Sequence, residues 1–279
     1  MNTTDKSLVA KLLAATVVLF APQLQAGALY IYEMSSASEP GYGGAGMAAR
    51  ANDAGTVFSN PAGMTLFDDS AMLAGGVGVY IDGGFKTNNL NTATGGSGHV
   101  NKRVVPAGSF SYIRPLDDRW SVGVSLQNYF GLAIDWPGDW VGRSSSVNVA
   151  LLAPQLQPTV AYRVNDWLSL GAGSALTMGY VSDKLRQDPL TPGEHGEWPD
   201  GKTRISDVDY AVQGNFGIMI QPWAHTRIGI RYLTETDLDF EDDAQVSWRD
   251  PVGKALGDPK VNLDLGVTMP QTISAGIHH

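Results

Sequence analysis

Few residues of this 279-residue chain are spaced for chemistry. Gly41-Tyr42-Gly43-Gly44-Ala45-Gly46 matches the G-x-G-x-x-G pattern that cradles a dinucleotide pyrophosphate. That use needs a buried strand before the glycines and a helix after them, whereas these glycines lead toward Asn60-Pro61, a turn initiator. Ser97, in Gly95-Gly96-Ser97-Gly98-His99, misses the nucleophile pattern G-x-S-x-G at its last position. It also falls in a long polar connection that holds no nucleophile rigidly. His99, His195, His225, His278 and His279 lack metal-ligand spacing. The acidic run from Glu235 to Asp243 lacks the spacing and the glycine of a calcium loop, and reads as a strand end feeding solvent. No catalytic group, metal site or cofactor is therefore expected. What stands out instead is Ala37 to Thr65, rich in Gly and Ala and containing Asn60-Pro61-Ala62-Gly63-Met64. A small-residue segment placed before membrane-type strands suits a plug inside a barrel.

The elements around that segment carry the argument. Lys6 and Lys11 precede or border a short apolar run, Leu12 to Phe20, which Pro22 breaks before Leu24-Gln25-Ala26. This is the order of a secretory signal peptide, and the run is too short to span a bilayer as a helix. Removing it takes away Lys6, Lys11 and Asp5 and moves the net charge from −9 to −10. An acidic chain is a poor partner for nucleic acid. The absence of cysteine excludes disulfide frameworks and thiolate metal sites.

Beyond the leader, period-two alternation recurs. From Trp120 to Asp135 the even positions, Phe130 among them, read as one greasy face and the odd ones as small or polar. Tyr210 to Gln221, Arg227 to Phe240 and Val261 to Met269 repeat the pattern, with Ile228, Ile230, Tyr232, Leu238 and Phe240 assigned to one greasy face. Weaker alternation occupies Ser70 to Ile81, Val104 to Ile113, Val147 to Arg163 and Trp167 to Val181, giving eight strand candidates. The connections Pro115 to Arg119, Val164 to Asp166 and Pro222 to Thr226 are short. Asp82 to Arg103, Trp136 to Ser146, Lys184 to Arg204 and Glu241 to Lys260 are long and polar. Strict short–long alternation is the habit of an outer-membrane barrel, with tight periplasmic turns and long external loops. Trp120, Trp167 and Trp223 beside the short turns, and Trp136 and Trp140 on the long-loop side, read as two interfacial girdles.

Several segments, in order, resemble the FadL/TodX family of outer-membrane transporters for hydrophobic compounds. Asp53 to Met64, DAGTVFSNPAGM, resembles the family's hatch signature; Asn128-Tyr129-Phe130-Gly131-Leu132-Ala133 resembles its third-strand segment. Trp140-Val141-Gly142-Arg143 and Leu156 to Gly173 resemble the motifs that follow. The resemblance implies an all-β fold: an antiparallel transmembrane barrel with an N-terminal hatch. It implies a hatch turn at Asn60, Pro61, Ala62 and Gly63, and a third-strand kink with a lateral gate at Tyr129, Phe130 and Gly131. Gly131 is read either as a kink in the strand or as a small residue facing a crowded lumen. Pro61 should hold Asn60 extended, and Gly63 should permit a tight reversal. The implied cargo is a long-chain fatty acid or an aromatic hydrocarbon, taken up passively in a lipid environment.

The expected organisation is a signal peptide over 1–26, a hatch over 27–65 and barrel strands over 66–279, in the bacterial outer membrane. An outer-membrane enzyme of lipase type and a general porin are the alternatives. Eight strands leave a closed barrel no room for a hatch of this length, so an open, partial barrel lacking C-terminal strands is expected. On the alternation alone, Arg at Leu126 should be costly and Arg at Gln127 mild. Processing is expected after Ala26: N-terminal sequencing of envelope protein should begin at Gly27, and a sequence beginning at Met1 would count against the leader.

Overall fold

Alternating side chains put one face of each strand toward lipid and the other toward an interior. In the computed structural model this yields β1 (Ala71–Ile81), β2 (Gly84–Phe85), β3 (Gly98–His99), β4 (Arg103–Pro115), β5 (Trp120–Gln127), β6 (Gly131–Asp135) and β7 (Asn148–Leu152). There follow β8 (Gln155–Asn165), β9 (Leu168–Gln187), β10 (Gly201–Trp223), β11 (Thr226–Leu233), β12 (Thr236–Ser247), β13 (Lys260–Met269) and β14 (Thr272–His278). The structure describes residues 36, 38–88, 95–101, 103–187, 200–257 and 260–279. The leader, residues 27–35 and His195 lie outside them.

All strands except the β2–β3 hairpin join one antiparallel, curled sheet. The chain crosses it eight times, with β5 and β6, β7 and β8, β11 and β12, and β13 and β14 forming broken halves of single passes. Among the described residues no ladder links β1 to β14, so the sheet is open. Short turns join β4 to β5, β8 to β9 and β10 to β11. In the first, the Asp117 carboxylate accepts the N–H groups of Arg119 (2.8 Å) and Trp120 (2.7 Å), which hold its carboxyl below the usual range. β9 and β10 pair continuously from Leu168↔Ile220 to Gln187↔Gly201, so they extend well into what the sequence reading treated as loop.

Burial follows the alternation closely. On β5, Trp120 and Leu126 point outward, whereas Ser121, Ser125 and Gln127 are buried. On β10, Tyr210, Val212, Phe216 and Ile218 are exposed opposite buried Gln213 and Asn215. Four expectations need correction. Phe130 does not continue the outward face; it is 2% exposed, because β5 ends at Gln127 and the phase is lost across Asn128–Phe130. Leu238 and Phe240 likewise turn inward. The pass breaks at Thr234–Glu235, and one extra residue there inverts the alternation. Trp136 and Trp140 form no lipid-facing girdle: they stack on each other at 4.3 Å, with Phe85 edge-on to Trp140 at 6.1 Å. Gln127 is fully buried beside its cross-strand partner Gln155, so an Arg there is not mild.

The N-terminal segment lies against the inner face. It consists of the single-turn helices α1 (Glu39–Tyr42), α2 (Met47–Arg50) and α3 (Thr56–Ser59) and a 3₁₀ helix (Pro61–Leu66). Glu39 and Arg50 form a buried ion pair that ties α1 to α2, with the guanidinium 4.0 Å above the Tyr42 ring. Val57, Met64 and Ala54 pack with Ile113 and Ala161 of the wall.

The outward assignment of Leu126 has a measurable consequence. Leu126→Arg should cost about 2–4 kcal/mol if it lies near the bilayer midplane, whereas Asp166→Arg in the exposed β8–β9 turn should stay within about 0.5 kcal/mol. Urea titration of protein folded into vesicles reads both, and equal tolerance would refute the register.

Candidate functional site

The Asn60–Gly63 turn sits where the N-terminal segment meets the wall. Asn60 is extended (φ −164°, ψ 102°), as the following proline demands. Its side chain is fully buried and fully used. Oδ1 accepts the Ala62 N–H (3.1 Å), while Nδ2 donates to Ala48 O (2.6 Å) and to Ile218 O on β10 (3.1 Å). Gly63 does not reverse the chain with a positive φ. It lies inside the 3₁₀ helix, where a Cβ would collide with Thr56 and sit 2.8 Å from Ala51 Cβ. Glycine is needed there for space.

The wall makes matching room. Cβ atoms added at Gly171 of β9 or Gly217 of β10, which are cross-strand partners, would run into Pro61, Asn60 and Ala62. One at Gly229 of β11 would strike the Ala48 carbonyl, and one at Gly123 of β5 would meet Met64 Sδ at 2.7 Å. Gly276, paired with Gly229, lies against Gly46. These glycines form a seat spread over five strands, on which backbone packs against backbone. The small lumenal residues were visible in the sequence; their common function was not, because it depends on a segment between about sixty and more than two hundred positions away.

Beside the seat runs a buried polar belt. Gln157 Nε2 donates to Val57 O (2.9 Å) and Asn215 Nδ2 to Phe58 O (2.8 Å), satisfying carbonyls of α3 that the helix itself leaves open. Asn215 also bonds Gln157 Oε1 (3.1 Å) and accepts from Arg231 Nε (3.1 Å). The buried Arg231 guanidinium lies 4.1 Å above the Phe58 ring. Gln155 bonds Thr177 and Gln213, and Gln213 reaches the Thr234 carbonyl. Above the belt, toward the long loops, the interior turns apolar: Leu238 and Phe240 close over Gly179, with Val181, Ile205, Ala244, Val246 and Met269 also buried.

Tyr129, Phe130 and Gly131 occupy the break in the third pass. Tyr129 turns inward, donates to Gln213 Oε1 (2.6 Å) and packs on Phe58 with ring centroids 5.0 Å apart. The structure thus brings the turn and the break together through Phe58 and the belt. At Gly131 a Cβ would meet Leu151 O of β7 at 2.8 Å, so glycine there allows a close backbone approach. The β4–β5 ladder ends at Phe110↔Leu126. Beyond it, β6 pairs only with β7, and β4 from Arg103 to Ser109 pairs only with β1. The wall between β4 and β6 is therefore unladdered at the level of the aromatic cluster.

The family sequence model described as "Outer membrane protein transport protein (OMPP1/FadL/TodX)" matches residues 17–279. The chain belongs to this family. It is 28% identical to outer membrane protein P1 of Haemophilus influenzae over 275 residues, covering 85% of this chain and 59% of that protein. It is 27% identical to the long-chain fatty acid transport protein of Escherichia coli over 255 residues, covering 82% and 56%. The chain thus spans somewhat over half the length of these relatives. Among solved structures, a Pseudomonas aeruginosa FadL homologue superposes with a TM-score of 0.66 at 20% identity, covering 90% of this chain and 66% of that one. The Ralstonia pickettii toluene transporter TbuX gives 0.64 at 18%, covering 89% and 69%. The curled, open sheet is part of the outer-membrane barrel fold of these structures, the N-terminal segment on its inner face is consistent with a hatch, and the chain's place is the outer membrane.

The hatch contacts are open to a direct test. Asn60→Ala should weaken hatch docking by about 1–3 kcal/mol, since it leaves buried carbonyls unpaired. Gly229→Val should do so more severely, because its side chain occupies the place of Ala48. Backbone amide exchange should quicken in 47–66 in both variants while β9 and β10 remain protected; unchanged exchange in 47–66 would refute the seat.

Proposed function

We propose that the protein is a passive route for hydrophobic small molecules across the outer membrane, with residues 38–66 acting as its hatch. The observation that carries this reading is the unladdered wall between β4 and β6, set beside Tyr129, whose ring packs on Phe58 of the hatch. An unpaired wall segment is costly in hydrocarbon, so its persistence favours a functional opening. A greasy solute gains from leaving sideways into lipid and gains nothing by crossing an aqueous end. Capture would fall to the loop cluster of Phe85, Trp136 and Trp140, storage to the apolar interior around Leu238 and Phe240, and exit to the gap at Tyr129–Gly131.

The names of the relatives, a long-chain fatty acid transport protein and a toluene transporter, support fatty acids or small aromatic hydrocarbons as cargo. This reading requires no cofactor and no catalytic nucleophile. The hatch on the inner face weighs against a general porin, which needs an open polar channel.

Cells producing the protein should accumulate labelled oleate or toluene faster than cells without it, with no gain in uptake of a hydrophilic sugar. Gly131→Val, which must push β6 away from β7, should lower hydrophobic uptake several-fold while leaving the amount of protein in the outer membrane unchanged. Sugar uptake rising in place of oleate and toluene would favour the porin reading, and unchanged oleate and toluene uptake in the variant would sink the gate.

A further inference from the structure

Six Asn and Gln side chains are buried among the described residues: Asn60, Gln127, Gln155, Gln157, Gln213 and Asn215. Gln127 alone has neither end of its amide bonded; its Nε2 and Oε1 both lack a partner, although the residue is 1% exposed. Its cross-strand partner Gln155 uses both Nε2 protons, on Thr177 Oγ1 (2.8 Å) and Gln213 Oε1 (2.9 Å). Gln213 Oε1 accepts Tyr129 as well (2.6 Å), so its two lone pairs are taken. Gln155 Oε1 is left open, and so is Ser125 Oγ, two residues before Gln127 on the same face of β5. Were Gln127 to turn its Nε2 toward Gln155 Oε1, its own Oε1 and second proton would remain open. Buried polar groups are almost always bonded, and leaving them unbonded is costly. These open atoms therefore call for a partner from outside the network.

Their position says which kind. Gln127 is the last residue of β5, and the β4–β5 ladder ends one step before it, at Phe110↔Leu126. The amide thus lies at the short-turn edge of the unladdered wall, on the inner face, with Tyr129 two residues further on. Under the transport reading, on which this inference rests, a cargo that displaces the Tyr129–Phe58 contact and leaves sideways passes over this edge. The side chains of the network are all neutral: Ser125, Gln127, Tyr129, Gln155, Thr177 and Gln213. Together they offer donors and acceptors but no counter-charge. That suits a head that both donates and accepts, such as a hydroxyl or an un-ionised carboxylic acid. An ionised head would be desolvated there without a partner of opposite charge, and a hydrocarbon would leave the atoms open.

We propose that Gln127, with Gln155 and Ser125, is a selective sill at the opening. It bonds the uncharged head of a long-chain amphiphile during exit, and so favours that cargo over a hydrocarbon of equal length. The test compares cells with and without the full protein in their uptake of three labelled cargoes. These are oleyl alcohol, 9-octadecene, which lacks only the hydroxyl, and oleyl sulfate, whose head stays ionised. Protein-dependent uptake of the alcohol should exceed that of the alkene and of the sulfate at least about fivefold, the order that one hydrogen bond supplies. In Gln127→Met, which keeps the length of the side chain and removes the amide, the alcohol-to-alkene ratio should fall at least about threefold. Equal uptake of alcohol and alkene, or an unchanged ratio in the variant, would overturn the sill while the transport reading stands, and would leave a fixed water as the partner of these atoms. Uptake of the sulfate equal to that of the alcohol would overturn the assignment to an uncharged head. No protein-dependent uptake of any of the three would overturn the transport reading and the sill with it. If Gln127→Met does not reach the outer membrane, the comparison of the three cargoes on the native protein decides the matter alone.

Discussion

Hydrocarbon offers no partner to a backbone N–H or C=O, so a wall that faces lipid must satisfy each of them internally. Most features of this fold follow from that constraint and from the places where it is relaxed. β9 and β10 meet it without interruption over twenty paired positions. Where other passes break, side chains stand in for the ladder. Asn128 Oδ1 accepts the Ala153 N–H across the break between β5 and β8. Thr234 Oγ1 accepts the Gly214 N–H where β11 ends. Along the seam between β10 and β12, the Asp209 and Asp207 carboxylates accept the N–H groups of Asp239 and Glu241, and Asp242 accepts that of Ser206. Across the β4–β6 interval one stitch closes the outer end, where Asn101 donates its N–H to Asp135 O (2.7 Å); among the described hydrogen bonds none joins 103–109 to 131–134, and under the transport reading that stretch is the door.

The hatch obeys a different rule. It packs by the close approach of peptide groups, which requires the wall to surrender its side chains at Gly123, Gly171, Gly217, Gly229 and Gly276. Glycine weakens a strand interior, and the wall tolerates that cost because each missing side chain is replaced by hatch atoms. The polar belt then supplies direction. Gln157 and Asn215 recognise particular carbonyls of α3, so the hatch has one seated position rather than a slippery contact.

The strands were legible in the sequence because lipid on one face and a polar interior on the other impose different compositions on alternate residues. Leu126 against Gln127, and Val212 against Gln213, carry that signal plainly. It failed at Leu238 and Phe240, since a single inserted residue inverts the phase and leaves no mark in composition, and at Phe130, where the strand ends at Gln127 and the alternation lapses. The hatch turn was legible as Asn-Pro followed by glycine, yet Gly63 proved to answer a steric demand rather than a conformational one. Trp136 and Trp140 misled for a related reason: an indole suits a membrane interface and a stacked loop cluster equally well, and spacing alone does not separate the two. The belt went unread because Gln157 and Asn215 act on residues 100 and 157 positions away.

These two kinds of contact respond differently to a cargo. A broken wall bond is exposed to hydrocarbon and finds no substitute. A broken bond between hatch and belt lies inside the lumen, where water or another polar group can replace it at a net cost of about 0.5–1.5 kcal/mol. Under the transport reading, the hatch is therefore the element that yields first, and the wall holds its shape while it does. Phe58 joins both systems: its carbonyl is held by Asn215, while its ring lies between Tyr129 at the break and Arg231 of the wall. A hydrophobic molecule that presses on this ring from the apolar interior acts on the hatch and on the break at the same time. Under the same reading, capture above the belt and release through the side would be coupled by this one aromatic contact, with no movement of the strands required between them.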